Sequence, residues 1–435
     1  MASLEPQAPA TDAASASASA PASAASASAS AAQAVDAVLL ATTPGLEAVC
    51  ARELAAKLGG AAEVVRAGTV RCRVPADQLP SPSALLSLRS PEHAYAEVFS
   101  GALPELKAGD PEAALAAVFR AVAGVPAARW RGAVALWAAS AGLAAPPPAA
   151  AVTFKVLKKR SGKHAFSSTA LAQGCFRAVA NAQPEWEGVL EEQRLSVMVR
   201  AADDRFFVGL CLGGASNATL WAASAAFSSA ARAFGRTPLR PPVAYGLVAL
   251  AAPRPGALVI DPLCGCGTVG ELAAREGPVF ALSGDSNSDA CAKAQENARR
   301  LAGTPADRVD VVQWDAARLP LRDGCADCVA TDLPFGKKCD GSGNKALYAS
   351  FFADCRRVVR QGGAVVALSA DRGSLRDGVR HSGLAVRERH GLNLGGLNAE
   401  VVVLEVGTGT AGGGSGAAQG VGIAGKAVAA GAVAG

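Results

Sequence analysis

Histidine is scarce in this chain, four in 435 residues, and the scarcity removes one kind of chemistry at the outset. Of the eleven cysteines, only Cys264/Cys266 and Cys325/Cys328 come close together. A zinc site needs two more ligands at suitable spacing, and His93, His164, His381 and His390 do not supply them, so no metal is expected. Scattered thiols with no secretory signal before them fit a reduced intracellular protein, cytoplasmic or nuclear. Basic residues are missing from the start of the chain: the first is Arg52, whereas an organellar transit peptide is Arg-rich as well as Ser-rich. Long apolar runs are missing as well. Gly132 to Val152 carry no charge, but Ala, Gly and the triplet Pro146 to Pro148 make a poor membrane span, which needs about 20 strongly apolar residues. A linker or surface insertion is the expectation there.

What is present divides into segments. A chain of this length accommodates roughly two or three domains, each with its own core. Residues 1–34 are almost wholly Ala, Ser and Pro, and residues 407–435 are Gly/Ala-rich; both compositions offer too little bulky apolar surface to offset ordering entropy, and both read as disordered tails. In "DAVLLATTPGLEAVCARELAAKLGG" an apolar run, Ala37 to Ala41, ends at Thr42-Thr43-Pro44. Leu46, Val49, Leu54 and Leu58 then recur at helical spacing until Gly59-Gly60. Strand candidates follow at Glu63 to Val65 and Thr69 to Val74, and "LLSLRSPEHAYAEVFS" offers a helix running into a further strand, an α+β order.

The net charge of +5 permits an acidic partner such as nucleic acid without demanding one. Its distribution says more. In "VTFKVLKKRSGKHAFSSTALAQGCFRAVA", Val152, Phe154 and Val156 alternate with Thr153, Lys155 and Leu157 as on a half-buried strand. The expected loop after it gathers Lys158, Lys159, Arg160, Lys163 and His164, and Ser167 or Ser168 would cap the next helix. Such a charge run is ordinarily a solvated loop; its functional reading is a surface for RNA phosphate, each cation displacing a counterion. Phe166 reads as core.

After "RLSVMVRAADDRFFVGLCL", two alternating strands around Asp203-Asp204, the pattern becomes strand-helix alternation as far as Val406, that of a doubly wound parallel sheet. In "GALVIDPLCGCGTVGELAAREG", Leu258 to Ile260 form a short buried strand, Asp261 ends it, and Gly265, Gly267 and Gly270 open a helix. With Asp285 about 20 residues on, this satisfies a dinucleotide fingerprint, so a nicotinamide-type oxidoreductase has to be weighed. Asp261, however, would repel a pyrophosphate and suits the cationic amino group of S-adenosylmethionine. Asp285 would accept from ribose hydroxyls, and Asp315, after "VVQW", from the adenine amino group. Each acid alone could be a helix cap; three in succession at strand ends point to a ligand crevice.

The fourth strand end is "TDLPFGKK", Thr331 to Lys338. Asp332 and the Leu333 carbonyl can both accept from an exocyclic amine, turning its lone pair toward a methyl donor. Pro334 stiffens the turn, Phe335 offers a face to a flipped base, and Lys337-Lys338 could hold a neighbouring phosphate. A plain turn with a buried Phe is the competing structural explanation.

Residues 35 to 405 resemble the THUMP-domain RNA methyltransferases, particularly the eukaryotic members that make N2-methylguanosine. "TFKVLKKRSGKHAFSS" is similar to their THUMP signature, "LRPPVAYGLVAL" to the helix leading into the catalytic domain, "DPLCGCGT" to the first cofactor motif, "TDLPFGKK" to the catalytic motif and "NLGGLNAEVVVLEV" to the closing strands. The resemblance implies a ferredoxin-like domain over residues 35–100 and a THUMP RNA-binding domain over 101–217 carrying the Ala/Pro-rich insertion. A Rossmann-like class I methyltransferase domain over 218–406 completes the α/β expectation. It implies S-adenosyl-L-methionine as cofactor, held by Asp261, Pro262, Cys264, Gly265, Gly267, Thr268, Asp285, Asp315 and Ala316, and a tRNA substrate. It also implies a small zinc-binding activator subunit. Cys266 stands where relatives often carry a small or threonine-like residue. A small nuclear RNA guanine, an adenine target and a non-catalytic RNA-binding protein are the alternatives left open.

Overall fold

The computed structural model describes residues 36–74, 82–212, 220, 233, 238–301, 303, 307–335 and 341–407. The two expected tails, Gly407 apart, and Lys337-Lys338 lie outside the described residues. Two sheets carry the architecture.

The first sheet has eight strands: β1 (Asp36–Thr42), β2 (Ala61–Arg66), β3 (Thr69–Val74), β4 (Pro91–Ala102), β5 (Thr153–Ser161), β6 (Glu187–Gly188), β7 (Leu195–Ala202) and β8 (Arg205–Cys211), in the order β2-β3-β1-β4-β8-β7-β5-β6. Strand β4 pairs antiparallel with β1 on one side and β8 on the other, so the segments on either side of residue 100 share one sheet. Period-two alternation sends Val38, Leu40, Val197, Val199, Phe206 and Val208 to one face. There they pack under α1 (Glu47–Leu58), α2 (Pro82–Leu86), α3 (Pro111–Ala123), α4 (Ala127–Ser140) and α5 (Ser168–Ala182). The opposite face holds a smaller cluster, Leu39, Tyr95, Met198, Phe207 and Cys211. Val65 from β2 and Leu157 from β5 pack against that same cluster although their strands lie near opposite ends of the strand order. The sheet therefore curls around this face.

Helix α4 corrects the linker reading of residues 132–152. Trp130, Ala133, Leu136 and Trp137 are buried in the main core, Trp130 edge-on to Trp186 at 5.6 Å, and irregular chain begins only after Ser140. Alanine content disguised it: Ala is the best helix former, and two Trp and a Leu supply the bulk. No single helix among the described residues is long and apolar enough to cross a membrane; α3 and α4 pass such a test only together, bent by 76°.

The second sheet has the order β11-β10-β9-β12-β13-β15-β14, from β9 (Leu258–Asp261), β10 (Phe280–Asp285), β11 (Val309–Gln313), β12 (Ala326–Asp332), β13 (Val359–Ser369), β14 (Ala385–Asn393) and β15 (Asn398–Glu405). Pairing is parallel except where β15 runs antiparallel between β13 and β14. Helix α6 (Pro241–Ala251) leads into β9, and α7 (Thr268–Glu276), α8 (Ser288–Arg299), α9 (Gly341–Val358) and α10 (Arg372–Ser382) lie in the connections between strands. The order reverses between β9 and β12, and a crevice opens beyond the carboxyl ends of such neighbours.

The two sheets are joined through α1. Leu46 and Val49 belong to the same core as Val243 and Leu247 of α6. Lys57 Nζ lies 2.8 Å from both Glu53 and Glu276, and Arg89 Nε 2.8 Å from Glu276. Buried Glu53 also accepts from the Arg89 and Ser90 amides, so its charge is both paired and hydrogen-bonded.

Candidate active site at the strand ends

Four acids stand at or just beyond the ends of four adjacent strands. Asp261 ends β9, Asp285 ends β10, Asp315 lies two residues past β11, and Asp332 ends β12. Between β9 and α7 the chain turns through Gly265 and Gly267 at φ of 54° and 85°, where side chains with a Cβ are strained. Gly270 serves a different purpose: a Cβ there would sit 2.3 Å from Ser283 Oγ, so its absence lets α7 lie directly on β10. Asp285 accepts from the Gly265 amide at 3.1 Å and from the Asn287 amide at 2.9 Å, and Asp315 accepts from the Ala317 amide at 2.9 Å. Pro262, Cys264, Thr268 and Ala316 are buried beside them.

Asp261 is fully enclosed and accepts from Thr331 Oγ1 at 2.7 Å. Burial outweighs that bond and the Leu263 amide, and its carboxyl is pushed up to about 7. Asp332 is likewise pushed up to about 7, by burial first and by the Asp261 charge second. Its Oδ1 is buried and has no hydrogen-bond partner among the described residues. A buried and a half-buried carboxylate whose charges oppose each other, one with a buried unused acceptor, describe a site shaped for a cation and a hydrogen-bond donor.

The turn after Asp332 is tightly held. The Leu333 amide donates to the Leu368 carbonyl at 2.8 Å, and the Pro334 carbonyl accepts from Tyr348 Oη at 2.5 Å. Tyr348 also lies 2.7 Å from Ser369 Oγ. The Leu333 side chain is buried, whereas Phe335 is exposed, against the reading of a turn closing over a buried ring. Three residues that sequence reading gave no role hold the crevice together. Thr331 ties β12 to Asp261, Asn297 of α8 donates to the Cys266 carbonyl at 2.9 Å, and Tyr348 pins Pro334. A hydroxyl directly before the strand-end acid was a usable signal for Thr331; Asn297 and Tyr348 left none in their local pattern.

The basic segment is arranged differently from the expected loop. Strand β5 continues to Ser161, so Lys158, Lys159 and Arg160 are strand residues on alternating faces. Lys158 Nζ reaches Thr169 Oγ1 and Arg160 Nε reaches Ser168 Oγ, both at 3.3 Å, at the start of α5. Lys155 and Lys159 share the opposite face with Leu157. Lys163 is exposed in the following loop, and His164 is 2.8 Å from the Asp203 carbonyl with its ring beside buried Phe166. Ser167 caps α5, accepting from the Ala170 amide. The four strand cations expected to share one surface therefore divide between two, with Lys163 and His164 in the loop beyond.

A parallel sheet with one antiparallel strand inserted next to its edge, a glycine turn after β9 at the reversal of strand order and acids at successive strand ends together define an S-adenosylmethionine-dependent methyltransferase fold of the Rossmann-like class. Residues 230–400 match the family described as RMKL-like, methyltransferase domain. The chain is similar to tRNA (guanine(6)-N(2))-methyltransferase THUMP3 of Bos taurus, 31% identical over 274 residues, 58% of this chain and 51% of that protein. It is 29% identical over 226 residues to U6 snRNA (guanine-N(2))-methyltransferase THUMPD2 of Bos taurus, 51% of this chain and 41% of the other. The crystal structure of TrmN from Thermus thermophilus superposes with a TM-score of 0.63 at 25% identity, covering 85% of this chain and 99% of TrmN. The chain is similar to the THUMP-family guanine-N2 methyltransferases and has a TrmN-like fold, and it spans about half the length of the THUMP3 protein it matches.

Proposed function

We propose that the protein is an S-adenosylmethionine-dependent RNA methyltransferase that acts on the exocyclic N2 of a guanine, with tRNA as substrate. The observation that carries the reading is Asp332: a strand-end carboxylate with a buried, unused Oδ1, next to a proline-held carbonyl and an exposed ring. The residues fit the cofactor because Asp261 is a buried carboxylate on which no cation acts among the described residues, beside a loop whose positive φ angles favour glycine. The cofactor would supply an electrophilic methyl on a sulfonium.

Asp261 with the Gly265 to Gly267 turn would hold the methionine end, Asp285 the ribose and Asp315 the adenine, with Pro262, Cys264, Thr268 and Ala316 shaping the pocket. Asp332 Oδ1 and the Leu333 carbonyl would each accept from the guanine amine and so aim its lone pair. Pro334 keeps that carbonyl in place, and Phe335 stacks on the base once it is extracted from its helix. As the amine becomes cationic, its surplus proton passes to Asp332, whose carboxyl near 7 suits both tasks. Lys158 and Arg160 on one face of β5, Lys155 and Lys159 on the other, and Lys163 and His164 in the loop after it would contact phosphate. The domain limits follow this reading: ferredoxin-like 35–100, THUMP 101–217 and methyltransferase 218–406. A small zinc-binding activator subunit completes it.

The test is to incubate the full chain, with and without that activator, with methyl-labelled cofactor and total small RNA, and to identify the labelled nucleoside. N2-methylguanosine in tRNA is the expected product. The same nucleoside in U6 small nuclear RNA would select the second reading, which the THUMPD2 similarity supports. N6-methyladenosine would overturn the guanine assignment.

A further inference from the structure

The curled face of the first sheet carries a group of cations that the methyl-transfer site does not use. Lys159 and Arg200 are direct cross-strand partners on β5 and β7, one step beyond Leu157 and Met198, which line the apolar floor of the same face. Like charges placed opposite each other in a sheet are destabilising, and a protein keeps such a pair only with compensation. Arg205 follows on the same face of β8, two residues before the buried ring of Phe207. Curling brings the end of β2 over this floor, and with it Arg66, on whose guanidinium the charges of Arg200 and Arg205 act.

Among the described residues the carboxylates of this face are already engaged: Glu63 and Glu97 pair with Arg71. Glu92 is the carboxylate that acts on Lys159, and it is already engaged by Arg240 Nη1 at 2.6 Å. Arg200 Nη1 is buried and has no hydrogen-bond partner among the described residues. A buried guanidinium nitrogen without an acceptor, facing a lysine and two further arginines, is complementary to a group with several anionic oxygens. We infer that Arg200, Lys159, Arg66 and Arg205 form a binding site for a phosphate of the RNA backbone, separate from the surface at the start of α5.

The inference rests on the reading of RNA as substrate and deepens it. It divides the basic segment: Lys159 works with residues that follow and precede it by dozens of positions, whereas Lys158 and Arg160 face α5. An RNA bound here is gripped on the first sheet while its target base is presented to the second.

Binding of the full chain to a fluorescently labelled, unmodified tRNA transcript, measured by anisotropy between low and moderate salt, tests the site. Arg200→Gln and Lys159→Gln should each weaken binding about tenfold at low salt and reduce the slope of log affinity against log salt by about 1. Arg200→Lys should recover most of the loss, and Glu92→Gln, which removes the competing carboxylate, should tighten binding. Since removal of Arg200 relieves like-charge repulsion, Arg200→Gln should melt no lower than the parent. Parent-like affinity and salt slope in both glutamine variants would overturn the site, as would a parent chain that binds no RNA. Methyl transfer by the parent to the same transcript separates the two proposals. Transfer with unaltered variant binding removes the phosphate site and leaves the function. Salt-sensitive, Arg200-dependent binding without transfer to any RNA removes the function and leaves the site.

Discussion

The two sheets place their polar chemistry in opposite ways. In the second sheet the carboxylates stand at strand ends, each within a few residues of the glycine, proline or cap that shapes its turn. In the first, the cations sit on a strand face, and the neighbours that give them meaning come from β2, β5, β7 and β8. A strand-end site is written in short stretches of sequence, whereas a sheet-face site exists only after register and curl are set. The two arrangements suit different tasks. Strand ends meet a small ligand in a crevice, and a curled face offers a broad surface to a polymer.

The comparison breaks most sharply at Asp332. Asp332→Ala should lower methyl transfer by about 10³-fold, near 4 kcal/mol of barrier, because two acceptors aimed at one amine become one. Cofactor affinity by calorimetry should not fall, since the substitution also removes a charge that opposes Asp261. Equal losses in transfer and cofactor binding would mean that Asp332 belongs to the cofactor pocket and that the strand ends do not divide their labour.

Trp130 probes the other sheet. Its ring is buried, its Nε1 has no hydrogen-bond partner among the described residues, and it meets Trp186 edge-on, so its contribution is packing alone. Trp130→Ala should cost about 3 kcal/mol in urea denaturation. A loss well under about 1 kcal/mol, the usual size for a surface substitution, would restore the insertion that composition suggested for this stretch.

What could be read in advance follows the same division. The strands ending in Asp261, Asp285 and Asp332 were legible because a short apolar run, an acid and a turn residue are contiguous. The α4 helix was not, because Ala satisfies a linker and a helix equally until Trp130, Leu136 and Trp137 are seen to share a buried side. The extent of β5 was misjudged for a related reason. Lys158 to Arg160 are poor strand residues in isolation, and it is pairing with Val199, Arg200 and Ala201 that carries the strand through them. Thr331 and Asn297 act on atoms 70 and 31 residues away, a distance that no local pattern reports.

The smallest expected effect sharpens the comparison through pH. Asp261 and Asp332 each titrate near 7 in the folded chain against an ordinary 3.8. Between those values the folded chain holds more protons than the unfolded one, so this pair's contribution to stability is full below 3.8, declines as pH rises, and is lost above about 7. Among the described residues no cation acts on either carboxylate: the charges that do are Asp285 on Asp261 and Asp261 on Asp332. Asp332→Asn removes one member and relieves the second. The variant should therefore match the parent near pH 4 and exceed it at pH 8 by on the order of 1 kcal/mol, read as a difference in urea midpoints at fixed slope. Saturating cofactor should shrink that gap if its ammonium settles beside Asp261, since a cation there makes the ionised pair tolerable. A parent more stable than Asp332→Asn at pH 8 without cofactor would show that Asp332 already has a partner for its charge, and the unused acceptor on which the amine-orienting role depends would be gone.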